Sequence, residues 1–154
     1  MNWDAIGALS EVLGVVAVVV TLLYVAKQIV QTNQIARAAV ARELQDKYAE
    51  VYNLLATDPN IQDLVTRLKD PDYVAQSQQE EEQIEGFCTL LLGVWLTTGI
   101  AYEQDQIDPK QYRMYRDDVT VKFSKWPGMV PHAKRILQKY PDAEAFDIFR
   151  GLYD

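Results

Sequence analysis

The first apolar pattern in the chain is a run with almost no interruption. Residues Ala5 to Ala26 read AIGALSEVLGVVAVVVTLLYVA, and Glu11 is the only charged side chain in those 22 positions. About 20 mainly apolar helical residues cross the hydrocarbon of a bilayer, so the run is long enough. Trp3 and Tyr24 bracket it, about 31 Å apart at helical rise, and Lys27 follows. Both ring types favour the interface, and these three residues are the expected interfacial anchors. A cleaved signal peptide fits less well. The opening MNWD has no basic side chain, and no convincing small-x-small site lies just after the run.

Beyond the run the pattern turns amphipathic. No glycine or proline occurs between Gly14 and Pro59, which predicts that the first helix continues to about Ala56. Ala36, Val40, Leu44, Tyr48, Val51 and Leu55 form an apolar stripe at helical spacing. Arg37, Arg42, Glu43, Asp46 and Glu50 lie on the other face. Asp58-Pro59 is a cap followed by a favoured first residue, and Ile61, Leu64, Val65 and Leu68 predict a short helix. Asp70-Pro71-Asp72 marks a turn. Ser77 and Glu80 read as a capping box, with Glu80, Glu81 and Glu82 as a solvated first turn favoured by the helix dipole.

The helix that starts there should reach about Gln104. No residue from Gly86 to Tyr102 is charged, a stretch of 17 positions at the lower limit for a second span. Gly86, Gly93, Gly99, Thr89, Thr97 and Thr98 argue against a span, as does the acidic flank before it. The expectation is the central core helix of a bundle, with Trp95 inside. Asp108-Pro109, with Gln111 at the third helical position, starts another helix whose apolar face is Tyr112, Tyr115, Val119 and Phe123. Trp126-Pro127-Gly128 breaks it. A short helix carrying Ala133, Ile136, Leu137 and Tyr140 follows, and a last one after Pro141 carries Phe146 and Phe149. The expected fold is all-α. Residues 1–30 form a single transmembrane anchor, continuous with a long amphipathic helix, and residues 31–154 form a small cytoplasmic helical domain.

Charge refines this picture. The net charge is -7, unevenly spread. Asp58 to Asp108 holds 11 acidic and two basic residues, whereas Lys110 to Tyr140 holds eight basic and two acidic ones. An acidic chain is a poor general nucleic-acid binder, and no nucleic-acid partner is expected. Lys122, Lys125, Lys134, Arg135 and Lys139 are candidates for contact with anionic lipid, or for pairing with the acidic segment. Before the apolar run there is no Lys or Arg; after it come Lys27, Arg37, Arg42 and Lys47. The positive-inside rule then puts the N-terminus outside and the C-terminal domain in the cytoplasm.

Chemistry is sparse. One cysteine, Cys88, lies in an apolar run, and one histidine, His132, excludes a His-pair metal site. No phosphate-binding loop, H-E-x-x-H, G-x-S-x-G or C-x-x-C motif is present. The expectation is no enzyme, no cofactor and no metal. His132 reads as a plain helix-start residue beside Pro131.

The anchor itself carries the sharper signal. Gly7, Ser10, Gly14, Ala17 and Thr21 recur every three or four residues and make one stripe of small side chains, with Glu11 at its edge. Small residues let helix backbones approach closely in lipid, so these six are the expected oligomer interface. An intramembrane carboxylate is costly and faces protein or water. Glu11 therefore fits a hydrogen bond across a homo-oligomer, the lumen of a pore, or a position near enough to the outer surface to reach water. The leading expectation is a membrane-anchored interaction or scaffold protein that self-associates and engages an unknown protein partner. The alternative is a homo-oligomeric pore. Asn2-Trp3-x-Ala5-Ile6-Gly7 with Glu11, an apolar span ending near Tyr24, and the Gln106-Ile107-Asp108 turn resemble a group of small uncharacterised bacterial membrane proteins. That resemblance implies the same topology and a bacterial inner membrane, and it carries no activity with it.

Overall fold

The computed structural model describes the backbone of residues 3–140, 142 and 146–152, and side chains from Glu11 onward within that set. All of its regular structure is helical. Five α-helices run α1 (Trp3–Thr57), α2 (Pro59–Arg67), α3 (Gln78–Glu103), α4 (Pro109–Lys125) and α5 (Val130–Leu137). A 3-10 turn, Pro127–Met129, precedes α5, and a 3-10 segment, Asp147–Leu152, closes the described chain. The chain divides into two units, Met1–Ala39 and Val40–Asp154. The sequence boundary at residue 30 marks where apolarity ends, whereas Val40 is where tertiary packing begins.

The first unit is the N-terminal part of α1, and its described side chains are exposed throughout. The second unit has a core. Leu44, Tyr48 and Val51 from the end of α1 join Leu64 from α2 and Leu68 at its C-cap, and Ile84, Phe87, Cys88, Leu91 and Trp95 from α3. Val119 and Phe123 from α4, Ile136 and Leu137 from α5, and Ile148 and Phe149 complete it. Trp95 is fully buried and its ring lies 5.3 Å from that of Phe123. Phe87 meets Trp126 edge-on at 5.8 Å, and Tyr48 stacks on Tyr115 at 4.5 Å. The α3 helix therefore takes the central position that its uncharged middle suggests. Phe146 is half-buried and packs where a Cβ at Gly99 would approach it to 3.0 Å.

The boundaries follow from local chemistry. Asp58 accepts from the Asn60 amide at 2.8 Å, and Asp108 accepts from the Lys110 and Gln111 amides at 2.8 and 3.0 Å. In both cases proline takes the first helical position. Ser77 accepts from the Glu80 amide at 3.2 Å, but the return arm of the capping box is absent. The Glu80 carboxylate instead accepts from the Gln76 amide at 2.7 Å, and from Arg67 and the Tyr73 hydroxyl. Glu80 is thus buried, not solvated, because Arg67 at the end of α2 and Tyr73 and Gln76 in the α2–α3 connection converge on it.

Helix α3 ends in a Schellman motif. The Asp105 amide donates to the Tyr102 carbonyl at 3.0 Å and the Gln106 amide to the Ala101 carbonyl at 2.8 Å. Asp105 takes the left-handed position usually given to glycine, with φ 55°. At Gly128 the need for glycine is steric. Its amide donates to the Leu68 carbonyl at 3.0 Å, and a Cβ there would stand 2.5 Å from the Asp70 carbonyl oxygen. Tyr140 departs from expectation: α5 stops at Leu137, and Tyr140 is exposed beyond it because the turn turns its ring outward. The last segment is a 3-10 element in which Phe149 is buried, with Phe146 just before its start.

Candidate functional site

Three regions carry candidate function. The first is the apolar stretch of α1. Val12, Leu13, Val15, Val16, Val18, Val19, Val20, Leu22 and Leu23 are each at least half exposed. None of the most apolar window of this helix is buried. Trp3, Gly7 and Ser10 fall outside the residues whose side chains are described. Glu11, Gly14, Ala17 and Thr21 are all exposed, and a Cβ at Gly14 would meet nothing within 4 Å. The described part of the small stripe, Gly14, Ala17 and Thr21, is therefore uncovered. Thr21 satisfies its hydroxyl internally by donating to the Ala17 carbonyl at 2.8 Å, so it presents little unmet polarity to lipid or to a second helix. Tyr24 accepts at its hydroxyl from the Gln28 side-chain amide at 3.0 Å, and Lys27 is exposed beside it.

The second region is the basic segment, whose members separate. Lys122 is buried. Its ammonium stands 4.5 Å above the Tyr52 ring and 5.1 Å from the Trp126 ring, with Asp118 at 3.9 Å. It is therefore spent inside the fold, not offered to a lipid surface. Arg135 pairs with Glu81 and, at 2.8 Å, with Glu85. This is the pairing of basic and acidic segments within one chain, joining α5 to α3. Lys125 lies 5.8 Å from the Trp126 ring, and Lys139 is exposed.

His132 is more than a helix-start residue. Its Nδ1 lies 3.4 Å from Glu81 and 3.2 Å from Arg135, within the same cluster. The Arg135 guanidinium, through its hydrogen bond, holds the Glu81 carboxyl below the usual carboxylate range. Glu80 is also held low, first by the Tyr73 hydroxyl, then by the Gln76 amide, with Arg67 adding its charge. Both clusters bind secondary-structure elements together and leave no open coordination space; among the described residues no group of His, Cys, Asp and Glu could hold a metal. Burial pushes the Cys88 thiol up to about 12, so it is a core side chain and a poor nucleophile.

The third region was not legible as a site. Tyr48 and Tyr52 of α1 face Tyr115 and Asp118 of α4 across a groove of about 530 Å³, with Gln45, Gln111 and Met114 at its edges. Tyr48 and Tyr115 are recognisable from sequence as members of apolar stripes. The signal for the groove was the i, i+4 pair Tyr48/Tyr52 and the Asp118 one turn beyond Tyr115, but which two helices face each other has no local sequence code. No family model, curated protein or solved structure matches this chain.

Proposed function

We propose that this protein is a single-pass membrane-anchored interaction module that self-associates through the first part of α1 and presents the helical domain in the cytoplasm. The observation that supports this most is the exposed apolar length of α1. Burying such side chains contributes about 1.5 to 3 kcal/mol each relative to leaving them in water. The nine from Val12 to Leu23, uncovered by the chain itself, favour a bilayer. The second unit needs no membrane to close its core, which supports an anchor plus domain over an embedded bundle. Lys27, Arg37, Arg42 and Lys47 support the cytoplasmic side for the domain. The resemblance noted from the sequence supports a bacterial inner membrane.

Self-association is read from the small face. Gly7, Ser10, Gly14, Ala17 and Thr21 let a second copy approach, and Glu11 then finds a hydrogen-bond partner out of lipid. The test is the oligomer distribution in nanodiscs by crosslinking or mass photometry. Gly14→Leu should shift it toward monomer without preventing insertion, whereas Val16→Leu should leave it unchanged. Equal behaviour of the two variants would sink the interface. A pore is the second reading, favoured only by the exposed Glu11 carboxylate. Ion flux in liposomes that disappears in Glu11→Gln would replace the scaffold reading with it.

A further inference from the structure

The groove between the second half of α1 and α4 has a composition that selects a ligand class. Its wall is aromatic. Tyr48 and Tyr115 stack with centroids 4.5 Å apart and planes 26° apart, and burial of Tyr48 fixes the pair. Tyr52 stands at the mouth, nearly half exposed, opposite the exposed Met114. Among the described residues Asp118 is the only ionised group that lines the groove, with the Lys122 ammonium 3.9 Å from its Oδ1. Its two contacts both fall on Oδ1, from the Tyr52 hydroxyl at 3.2 Å and from Lys122 at a long 3.9 Å. Its Oδ2 has no hydrogen-bond partner among the described residues. The volume of about 530 Å³ lies within the range of small-molecule sites.

We propose that this groove binds a small organic cation, an ammonium bearing short alkyl groups, with its charge on Asp118 and its alkyl groups on the tyrosine rings. Aromatic faces attract such cations through the ring quadrupole, and a carboxylate adds charge selectivity. The chain shows the same chemistry internally, because the Lys122 ammonium lies over the outer ring of this set, Tyr52, at 4.5 Å. An anion is disfavoured. Lys122 is turned toward Tyr52 and Trp126 and does not line the groove, so an anion would meet ring faces, the Asp118 carboxylate and the uncharged side chains of Gln45, Gln111 and Met114. A purely apolar ligand would strip water from Asp118, Gln45 and Gln111 without replacing it. The Tyr48 hydroxyl feels the same field: burial first, then the Asp118 charge, push it upward. The proposal does not depend on the oligomer or the membrane orientation.

The test uses the full chain in a maltoside detergent, titrated with choline and with its neutral isostere 3,3-dimethylbutan-1-ol, followed by calorimetry and ligand-observed NMR. The two probes share shape and differ in charge. Choline should saturate and bind about tenfold or more tighter than the alcohol, and Asp118→Asn should remove that preference. Tyr52→Leu, at an exposed position that the fold tolerates, should weaken choline several-fold while leaving the helical circular dichroism intact. It decides the matter should Asp118→Asn fail to fold. Absence of choline binding, equal affinity for the two probes, or choline affinity unchanged in a folded Asp118→Asn or Tyr52→Leu chain would overturn the proposal, leaving Lys122 as the only cation the site accommodates.

Discussion

The first part of α1 and the middle of α3 are both long and apolar enough to cross a membrane, yet they meet opposite fates. In the best window of α1 nothing is buried; in that of α3, 56% is. The difference lies in the kind of apolar residue and in its distribution. The α1 run is mostly valine and leucine, broken by a stripe of small residues and by Glu11. The α3 run is one-sided. Ile84, Phe87, Cys88, Leu91 and Trp95 face the core, whereas Gly86, Thr89, Gly93 and Thr97 face out. Its large rings also have aromatic partners on other elements, Phe123 and Trp126. Apolar length alone therefore does not separate lipid from core; an apolar face with matching partners elsewhere in the chain does.

The contrast can be broken first in the core. Trp95→Ala removes the largest buried ring and should cost about 3 to 5 kcal/mol in urea unfolding of the helical domain, while Val16→Ala should leave that transition within about 0.5 kcal/mol. Similar losses from both would mean that α1 before Val40 contributes to the core after all. The next test charges each apolar run in turn. An arginine near the middle of a spanning helix costs about 2.5 to 3.5 kcal/mol, so Val16→Arg should reduce the membrane fraction that survives alkaline extraction. Leu90→Arg, on the outer face of α3, should not change it. Release by Leu90→Arg alone would exchange the roles of the two helices.

A third effect depends on pH and belongs to the domain only. Glu80 titrates lower in the folded chain than its ordinary value of 4.5, so its contribution is present above that value and is lost as pH falls through the folded one. Thermal melts of the wild-type chain should therefore lose stability on acidification below about pH 5 more steeply than melts of Glu80→Gln. Parallel acid limbs would show that the Arg67–Glu80–Tyr73 cluster does not couple protons to folding. The smallest effect is a gain. Asp105 occupies a left-handed position at the end of α3, and Asp105→Gly should raise domain stability by about 0.5 to 1 kcal/mol, read as a higher urea midpoint at unchanged slope. A loss there would indicate that the carboxylate has a role the backbone does not show.

Much of the architecture was legible because its signals are local. Asp58-Pro59, Ser77 and Asp108-Pro109 mark helix starts through hydrogen bonds that reach only two or three residues. The lack of glycine and proline before Pro59 let α1 run unbroken to Thr57. Glu80 misled because its three-residue spacing from Ser77 fits a capping box, while the donors that won, Arg67 and Tyr73, come from the end of α2 and a connection whose path is not encoded locally. Tyr140 misled because helical spacing continues past the point where α5 ends. His132 read as a plain helix-start residue, and Arg135 as a contact for lipid or for the acidic segment; laying α5 against the acidic start of α3 put both beside Glu81.

By itself, then, the sequence determined the all-helical class, the helix starts, the long apolar run of α1 and the identity of most core residues. These follow from helical periodicity and caps, which act over one or two turns. Tertiary structure alone decided that Lys122 is consumed by Tyr52 and Asp118, and that the tyrosines of α1 and α4 share a groove. Those outcomes depend on which faces meet across separations of tens of residues, and packing of the whole core selects among pairings that no single segment distinguishes.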